Sequence, residues 1–357
     1  MVKKIIFCAG GTGGHIFPAI SLKKFLKKQG YEILLVTDKR GGIFFKDDFD
    51  EKLYFLNTDS PINKNFFGKF FAILKICTSI LKSIFILNKE KPNLIIGFGG
   101  YVSFPLSFLS KFFKIPLIIY ENNLILGRAN KKLLPIAKKI LLGNDTPKNF
   151  PQEYENKIIN VGNILREEII NFTGQNNNNS NFVILVLGGS QGAEIFGKVL
   201  PETIKMLSDS GNDIEIIQQC LEHQKKILTE FYNLNNIKNY IFDFKKDIFN
   251  LFPLADIAIS RCGSSTTAEL VQTQTPFIGV PYPYSMDNHQ HLNAKYYEKK
   301  GCCLLVEQSN FNSENLFNLI ADFIKNKNKL KEIRKNMEKN SNKDVYKNIE
   351  IVIKNFI

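Results

Sequence analysis

Short, unbroken apolar runs alternate with stretches of helical periodicity along the whole chain. In the first half the runs are 3–7, 32–36, 94–97, 117–120, 140–142 and 158–161; in the second half they are 182–187, 214–218, 240–242, 257–260, 277–280 and 303–306. A strand covered on both faces shows no polar alternation, so continuous runs of this kind predict parallel strands buried between helices. The strand–helix alternation predicts a doubly wound α/β architecture, built twice, with two Rossmann-like parallel-sheet domains facing each other across a cleft. The break between the halves falls near 162–166. Residues 1–162 read as the N-terminal domain and 163–340 as the C-terminal one, with a helix at about 341–357 packing back on the first. An Asn-rich insert at 175–180 reads as a surface loop, and the Lys- and Asn-rich stretch from about Ser313 reads as helical.

One helical segment departs from this pattern. Residues 66–87 are crowded with Phe, Ile and Leu, and Lys75, Lys82 and Lys89 fall on one side at spacings of seven. Two readings stay open: a buried crossover helix, slightly favoured by sequence alone, and an interfacial helix whose apolar side enters lipid while Lys stays at the headgroups. A transmembrane span is disfavoured, because Lys69, Lys75 and Lys82 would each cost ~2.5–3.5 kcal/mol near a bilayer centre. Phe108, Phe112 and Phe113 add apolar bulk beside Lys111 and Lys114.

A length of 357 residues suits about two domains, and 44% hydrophobic residues with 31 Phe supply two cores. The formal charge of +13 points to nucleic acid, to an anionic membrane, or to a skewed proteome. No nucleic-acid motif and no basic arm accompanies it, which leaves compositional bias plus a membrane-facing patch and disfavours a nucleic-acid partner. The six cysteines show no CxxC and read as reduced thiols of a cytosolic protein, and the four histidines form no zinc pattern. No metal or other cofactor is expected. The chain enters a strand-like run at once, so no signal peptide is expected either.

The chemistry concentrates where runs end. Ala9-Gly-Gly-Thr-Gly-Gly-His15 follows the first run, and Gly188-Gly-Ser-Gln-Gly-Ala193 follows the first run of the second half. Glycines let backbone approach a ligand, and the helix start beyond offers unpaired N–H groups to an anion. Gly11 and Gly13 fit a dinucleotide fingerprint but its third place is Ile16; Asp38 stands where a ribose-binding acid would, so an oxidoreductase remains an alternative. His15, at the helix start beside Thr12, is a candidate general base, against the plainer reading of a loop-bonded histidine. Further polar turns follow other runs: Gly99-Gly-Tyr-Val-Ser103, then Tyr120-Glu-Asn-Asn123, and in the second half Ser260 to Glu269. The small hydroxyl residues of that last turn suit a diphosphate, and Glu269, a turn further in, suits ribose hydroxyls. Gln290, in Asp287-Asn-His-Gln290, suits sugar hydroxyls.

Taken in order, Gly10 to His15 with Pro18-Ala19, Gly99 to Ser103, Gly188 to Ala193, Arg261 to Glu269, and Asp287 to Gln290 with Asn293-Ala294 resemble the MurG family. These are the bacterial UDP-N-acetylglucosamine–N-acetylmuramyl-(pentapeptide) pyrophosphoryl-undecaprenol N-acetylglucosamine transferases of glycosyltransferase family 28. The resemblance implies the GT-B fold, an acceptor- and membrane-binding N-terminal domain and a UDP-GlcNAc-binding C-terminal one. It implies inverting transfer of GlcNAc to the 4-hydroxyl of the muramyl sugar of lipid I, giving lipid II for peptidoglycan.

Carried over by motif, Thr12, Gly13 and Gly14 would approach the donor, Asn123 its sugar, and Arg166 and Ser190 its diphosphate. The backbone around Lys245 would meet uracil. Ser264, Ser265, Thr266, Thr267, Ala268 and Glu269 would hold phosphate and ribose, and Gln290 the GlcNAc hydroxyls. His15 would be the base and Glu121 a second catalytic group, Glu121 and Tyr101 lining the acceptor side. The implied partners are UDP-GlcNAc, lipid I, the anionic cytoplasmic face of the inner membrane, and cell-wall synthesis proteins. Three positions depart from the family: Tyr120 and Asn122 stand in a usual His-Glu-Gln-Asn, and Ile164 replaces the usual Pro after Gly162-Asn163. The alternatives weighed are a related GT-B enzyme with another lipid acceptor such as a diacylglycerol, a Rossmann oxidoreductase, and a periplasmic-type binding protein.

Overall fold

The computed structural model describes residues 2–357 other than 12, 46–51, 59–64, 149, 173–179, 190–191 and 246. Thr12, Ser190 and nearly all of the Asn-rich insert therefore lie outside the described residues. The chain forms two compact units, Met1–Arg166 with Lys343–Ile357, and Glu167–Asn342.

The first unit holds strands β1 (Lys4–Ala9), β2 (Glu32–Thr37), β3 (Leu53–Phe55), β4 (Leu94–Gly99), β5 (Leu117–Glu121), β6 (Lys139–Leu142) and β7 (Ile158–Asn160). They make one parallel sheet in the order β3-β2-β1-β4-β5-β6-β7. Ile5, Ile6 and Phe7 of β1, Leu94 to Ile96 of β4 and Leu117 to Ile119 of β5 are buried, which is why these strands read as unbroken apolar runs. The sequence pattern passed over β3. It is three residues long at the sheet edge, within the short apolar run 53–56, and none of its side chains is fully buried. Helices α1 (Gly13–Lys28), α2 (Lys39–Gly42), α3 (Phe66–Glu90), α4 (Ser103–Leu109) and α5 (Arg128–Leu133) complete the unit with a C-terminal helix given below. Strand order reverses between β1 and β4, and in sheets of this kind ligands bind at the carboxyl edge of such a switch point.

Helix α3 is built inside out. Asn65 caps it, accepting from the Gly68 N–H at 2.9 Å, and Lys91 ends it in a left-handed turn. The side chains turned inward are mostly small or polar: Ala72, Ser79, Ser83 and Glu90, with Ile86 and Leu87 near the end. Ser79 donates to the Asn57 carbonyl and Ser83 to that of Ser79. The large apolar side chains point outward, with Leu81 68% exposed and Phe71 and Phe85 61%. Only 28% of Phe70–Glu90 is buried, so one face is a crossover helix on the core and the other is bare. Phe104, Phe108 and Phe112 continue the apolar surface as neighbouring rings with centroids 5.5 and 5.7 Å apart. The inner end of α3 is tied down by Glu90, which accepts from Tyr54 at 2.5 Å and Lys4 at 3.0 Å.

The second unit repeats the plan. Strands β8 (Phe182–Leu187), β9 (Ile214–Gln219), β10 (Lys238–Phe242), β11 (Ile257–Ser260), β12 (Phe277–Gly279) and β13 (Cys303–Leu305) form a parallel sheet ordered β10-β9-β8-β11-β12-β13. Here the order reverses between β8 and β11. The helices are α6 (Glu167–Ile170), α7 (Glu194–Asp209), α8 (Glu222–Leu234), α9 (Ser264–Gln272), α10 (His289–Lys299), α11 (Ser313–Lys325) and α12 (Lys327–Asn340). The helical stretch from Ser313 thus stays with the second unit through α12, and only α13 (Val345–Lys354) belongs to the first, where Tyr346 stacks on Phe25 at 4.9 Å.

Candidate active site

At the switch point of the first sheet the glycines are a steric necessity. A Cβ on Gly10 would stand 2.3 Å from Val102, and one on Gly100 would stand 2.5 Å from the Gly10 carbonyl oxygen. The loops after β1 and β4 therefore touch backbone to backbone. The His15 ring lies against Gly99, where a Cβ would meet it at 3.2 Å. Burial pushes the His15 imidazole down to about 4, with Asp38 pulling the other way, so the ring is neutral at pH 7. Its Nδ1 is buried and has no hydrogen-bond partner among the described residues, and the same holds for the Tyr101 hydroxyl. Buried polar atoms are normally paired, so two orphans at one rim mark a place for a ligand.

Asp38 is already in use. Its Oδ1 accepts from the N–H groups of Gly11 at 3.3 Å and Gly41 at 2.8 Å, and its Oδ2 pairs with Arg40 at 3.1 Å. It braces the glycine loop, which removes the support it lent to an oxidoreductase. Glu121 is likewise occupied and 3% exposed. Its Oε1 accepts from the Asn123 N–H and side-chain amide, both at 3.0 Å, and its Oε2 from Gly127 N–H at 2.8 Å and Asn130 at 3.1 Å. Burial raises its pKa against these four bonds. With both oxygens saturated, Glu121 shapes the loop that presents Asn123 rather than lining a surface itself. Asn122 carries the loop to the helix start, donating to the Gly14 carbonyl at 3.2 Å.

At the second rim the glycine loop is held by Gln219, a residue the sequence reading passed over. Its Oε1 accepts from Gly188 N–H at 3.1 Å and its Nε2 donates to the Gly189 carbonyl at 3.3 Å. The readable signal was a polar residue closing an apolar strand at the carboxyl edge. Helix α9 begins at Gly263 without any side-chain cap. The Ser265 hydroxyl is buried and has no partner among the described residues. The Thr267 hydroxyl turns back to the carbonyls of Gly263 and Ser264, both at 3.1 Å, and Ala268 and Glu269 are buried. Gln290 accepts from Cys262 N–H at 3.2 Å and Tyr282 N–H at 2.9 Å, which pins its amide beside the start of α9. Arg261 is sandwiched between Phe196 and Tyr282 and donates to the carbonyls of Val280 and Pro281 and to Gln308. Lys245 pairs with Asp247 at 3.5 Å, next to Phe244, whose ring is 74% exposed. Among the described residues no group of three or more His, Cys, Asp or Glu could hold a metal ion.

Two rims of this kind, one with a neutral imidazole and one with an uncapped helix start, fit a group transfer from an anionic donor. Residues 5–142 match the glycosyltransferase family 28 N-terminal domain and residues 183–349 its C-terminal domain. The chain belongs to glycosyltransferase family 28. Within family 28 it is 37% identical over 346 residues to the UDP-N-acetylglucosamine–N-acetylmuramyl-(pentapeptide) pyrophosphoryl-undecaprenol N-acetylglucosamine transferase of Rickettsia canadensis, covering 95% of each chain. It is 33% identical over 354 residues to the protein of the same name from Pelagibacter ubique, covering 99% of this chain and 98% of that one. The crystal structure of Acinetobacter baumannii MurG superposes with a TM-score of 0.80 at 24% identity, over 99% of both chains, and establishes the GT-B fold. A putative UDP-N-acetylglucosamine 2-epimerase from Listeria monocytogenes shares that fold more distantly, with a TM-score of 0.69 at 13% identity over 99% of this chain and 96% of that one.

Proposed function

We propose that this family 28 enzyme transfers GlcNAc from UDP-GlcNAc to the 4-hydroxyl of the muramyl sugar of lipid I, making lipid II with inversion at the anomeric carbon. The carrying observation is the match along nearly the whole chain to transferases of that name.

The geometry supports a division of labour. His15, neutral because it is buried, takes the acceptor hydroxyl proton as the oxygen attacks the anomeric carbon, and Tyr101 hydrogen-bonds the acceptor. The UDP leaves with its charge spread over oriented donors: the first turn of α9 from Ser264 to Thr266, the Ser265 hydroxyl, Arg166 and Ser190. Glu269 takes the ribose hydroxyls and the Lys245 backbone takes uracil, with the exposed Phe244 ring offering a stacking face. Gln290 and Asn123 meet the GlcNAc, and Thr12, Gly13 and Gly14 approach the donor. Glu121 serves by holding Asn123 in place.

The bare face of α3, with Phe108 and Phe112 and the flanking Lys82, Lys89, Lys111 and Lys114, is the surface for an anionic membrane. An acceptor carrying a polyprenyl chain requires the enzyme to work at that boundary, on its cytoplasmic side.

The test is incubation with radiolabelled UDP-GlcNAc and a lipid I analogue, with diacylglycerol as a competing acceptor and with a chelator in parallel. Label is expected on the lipid I analogue alone, undiminished by the chelator. Label on diacylglycerol, or on neither acceptor, sinks the acceptor assignment.

A further inference from the structure

The chain leaves the first unit through residues 163–166, and each of these four is gripped by a different part of that unit. Asn163 donates to Asn144 Oδ1 at 2.9 Å, and Asn144 donates on to the Asn122 carbonyl at 2.7 Å. The Ile164 N–H donates to the Tyr120 hydroxyl at 2.9 Å. The Leu165 carbonyl accepts from the Tyr346 hydroxyl. The Arg166 guanidinium sits over the Phe17 ring, 5.3 Å from its centre. The grips come from the loop after β6, from β5, from α13 and from α1.

The grip is also tight. Tyr120, Ile164 and Leu165 are 2%, 3% and 5% exposed. A Cβ on Gly143 would stand 2.8 Å from the Tyr120 oxygen and 2.7 Å from Asn163 Oδ1, so backbone closes the space behind both. Apolar contact alone lets a segment slide, whereas a buried donor matched to a buried acceptor gives it one register. At the end of this segment is a cation, and the ring beneath it touches the glycine loop: a Cβ on Gly13 would lie 2.7 Å from Phe17 Cε2. The segment therefore delivers the Arg166 guanidinium to within one aromatic ring of the loop.

We propose that Tyr120 is a positioning residue: by seating the Ile164 N–H, its hydroxyl aims Arg166 at the donor diphosphate. The inference rests on the reading of Arg166 as a diphosphate ligand. It also joins Tyr120 and Ile164, two departures from the family pattern, into one device, because a proline at 164 would have no N–H to give.

A double-mutant cycle tests it, with kcat/KM for UDP-GlcNAc measured on the full-length enzyme. Arg166→Ala is expected to lower kcat/KM about 100-fold, and Tyr120→Phe about tenfold in the otherwise unchanged enzyme, with the acceptor KM unmoved. In the Arg166→Ala background Tyr120→Phe is expected to change it less than about twofold. Adding Ile164→Pro to Tyr120→Phe removes the stranded donor as well, and should restore kcat/KM to within about threefold. Should Tyr120→Phe prove unfolded by circular dichroism, Asn144→Ala enters the same cycle. A tenfold loss that persists in the Arg166→Ala background, or no loss in the unchanged enzyme, overturns the positioning role. An Arg166→Ala variant with unaltered kcat/KM removes the diphosphate reading itself, and the proposal with it.

Discussion

At the rim of the first sheet, the buried groups without a partner among the described residues include two that can hold or move a proton, His15 Nδ1 and the Tyr101 hydroxyl, beside the Thr37 hydroxyl. At the rim of the second, they include the Ser265 hydroxyl and Asn293 Oδ1 beside an uncapped helix start, while Thr267, Gln290 and Arg261 are tied to backbone. Both rims grow from the same strand reversal and the same kind of glycine loop. The comparison teaches that one topology serves two chemistries according to what is left unpaired. In the proposed reaction the first rim serves the proton transfer and the second the leaving anion.

The sharpest way to break that comparison is to remove the imidazole. His15→Ala should lower kcat about 10²–10⁴-fold while the KM for UDP-GlcNAc moves less than about twofold. Unaltered turnover would move the base elsewhere. On the second rim, Glu269→Ala should raise the donor KM about tenfold or more and leave acceptor binding as it was, read by titrating each substrate separately. Equal effects on both substrates would blur the division.

A subtler measurement is the pH profile. A base must be neutral, and the His15 imidazole protonates only near pH 4 because it is buried. The acid limb of kcat/KM is therefore expected well under the ordinary histidine range near 6.5, with activity flat between them. A limb at 6.5 would mean that the ring is hydrated when it works.

The bare face of α3 has its own comparison, since Ile73 is 53% exposed whereas Ile80 and Ile84 are half-buried against the core. Leu81→Glu with Phe85→Glu should weaken binding to anionic vesicles about tenfold with the fold intact, by sedimentation and circular dichroism. Ile80→Glu should instead destabilise the unit. The smallest effect concerns the tether of α3. Burial would raise the Glu90 carboxyl, but the bonds from Tyr54 and Lys4 outweigh it and hold it at about 2. A depressed carboxyl contributes stability above its unfolded pKa of about 4.3 and loses it as pH falls toward 2. Glu90→Gln should flatten the melting temperature across that window and lower it modestly at pH 7.

Much of this was legible in the linear chain. Unbroken apolar runs located every strand but β3, because burial on both faces writes itself into sequence; the short run at 53–56 went unread. Glycine spacing marked both loops, because only glycine lets β1 and β4 loops meet backbone to backbone. The candidate carboxylates were harder. Asp38 and Glu121 stand at the right rim, yet each is filled by neighbouring N–H groups, and that occupancy has no local signature. Helix α3 read as apolar apart from a line of lysines, and only packing revealed that Ser79 and Ser83 face in while Phe71 and Leu81 face out.

What the amino-acid order settles by itself is therefore what depends on near neighbours: periodicity, turn chemistry, and the order of motifs that places the chain in family 28. What tertiary structure decided is which polar atoms found partners. Tyr120 and Ile164 lie 44 positions apart, and Leu165 and Tyr346 lie 181 apart. A hydrogen bond is made or missed by fractions of an ångström, and no local pattern carries distances between residues so far separated along the chain.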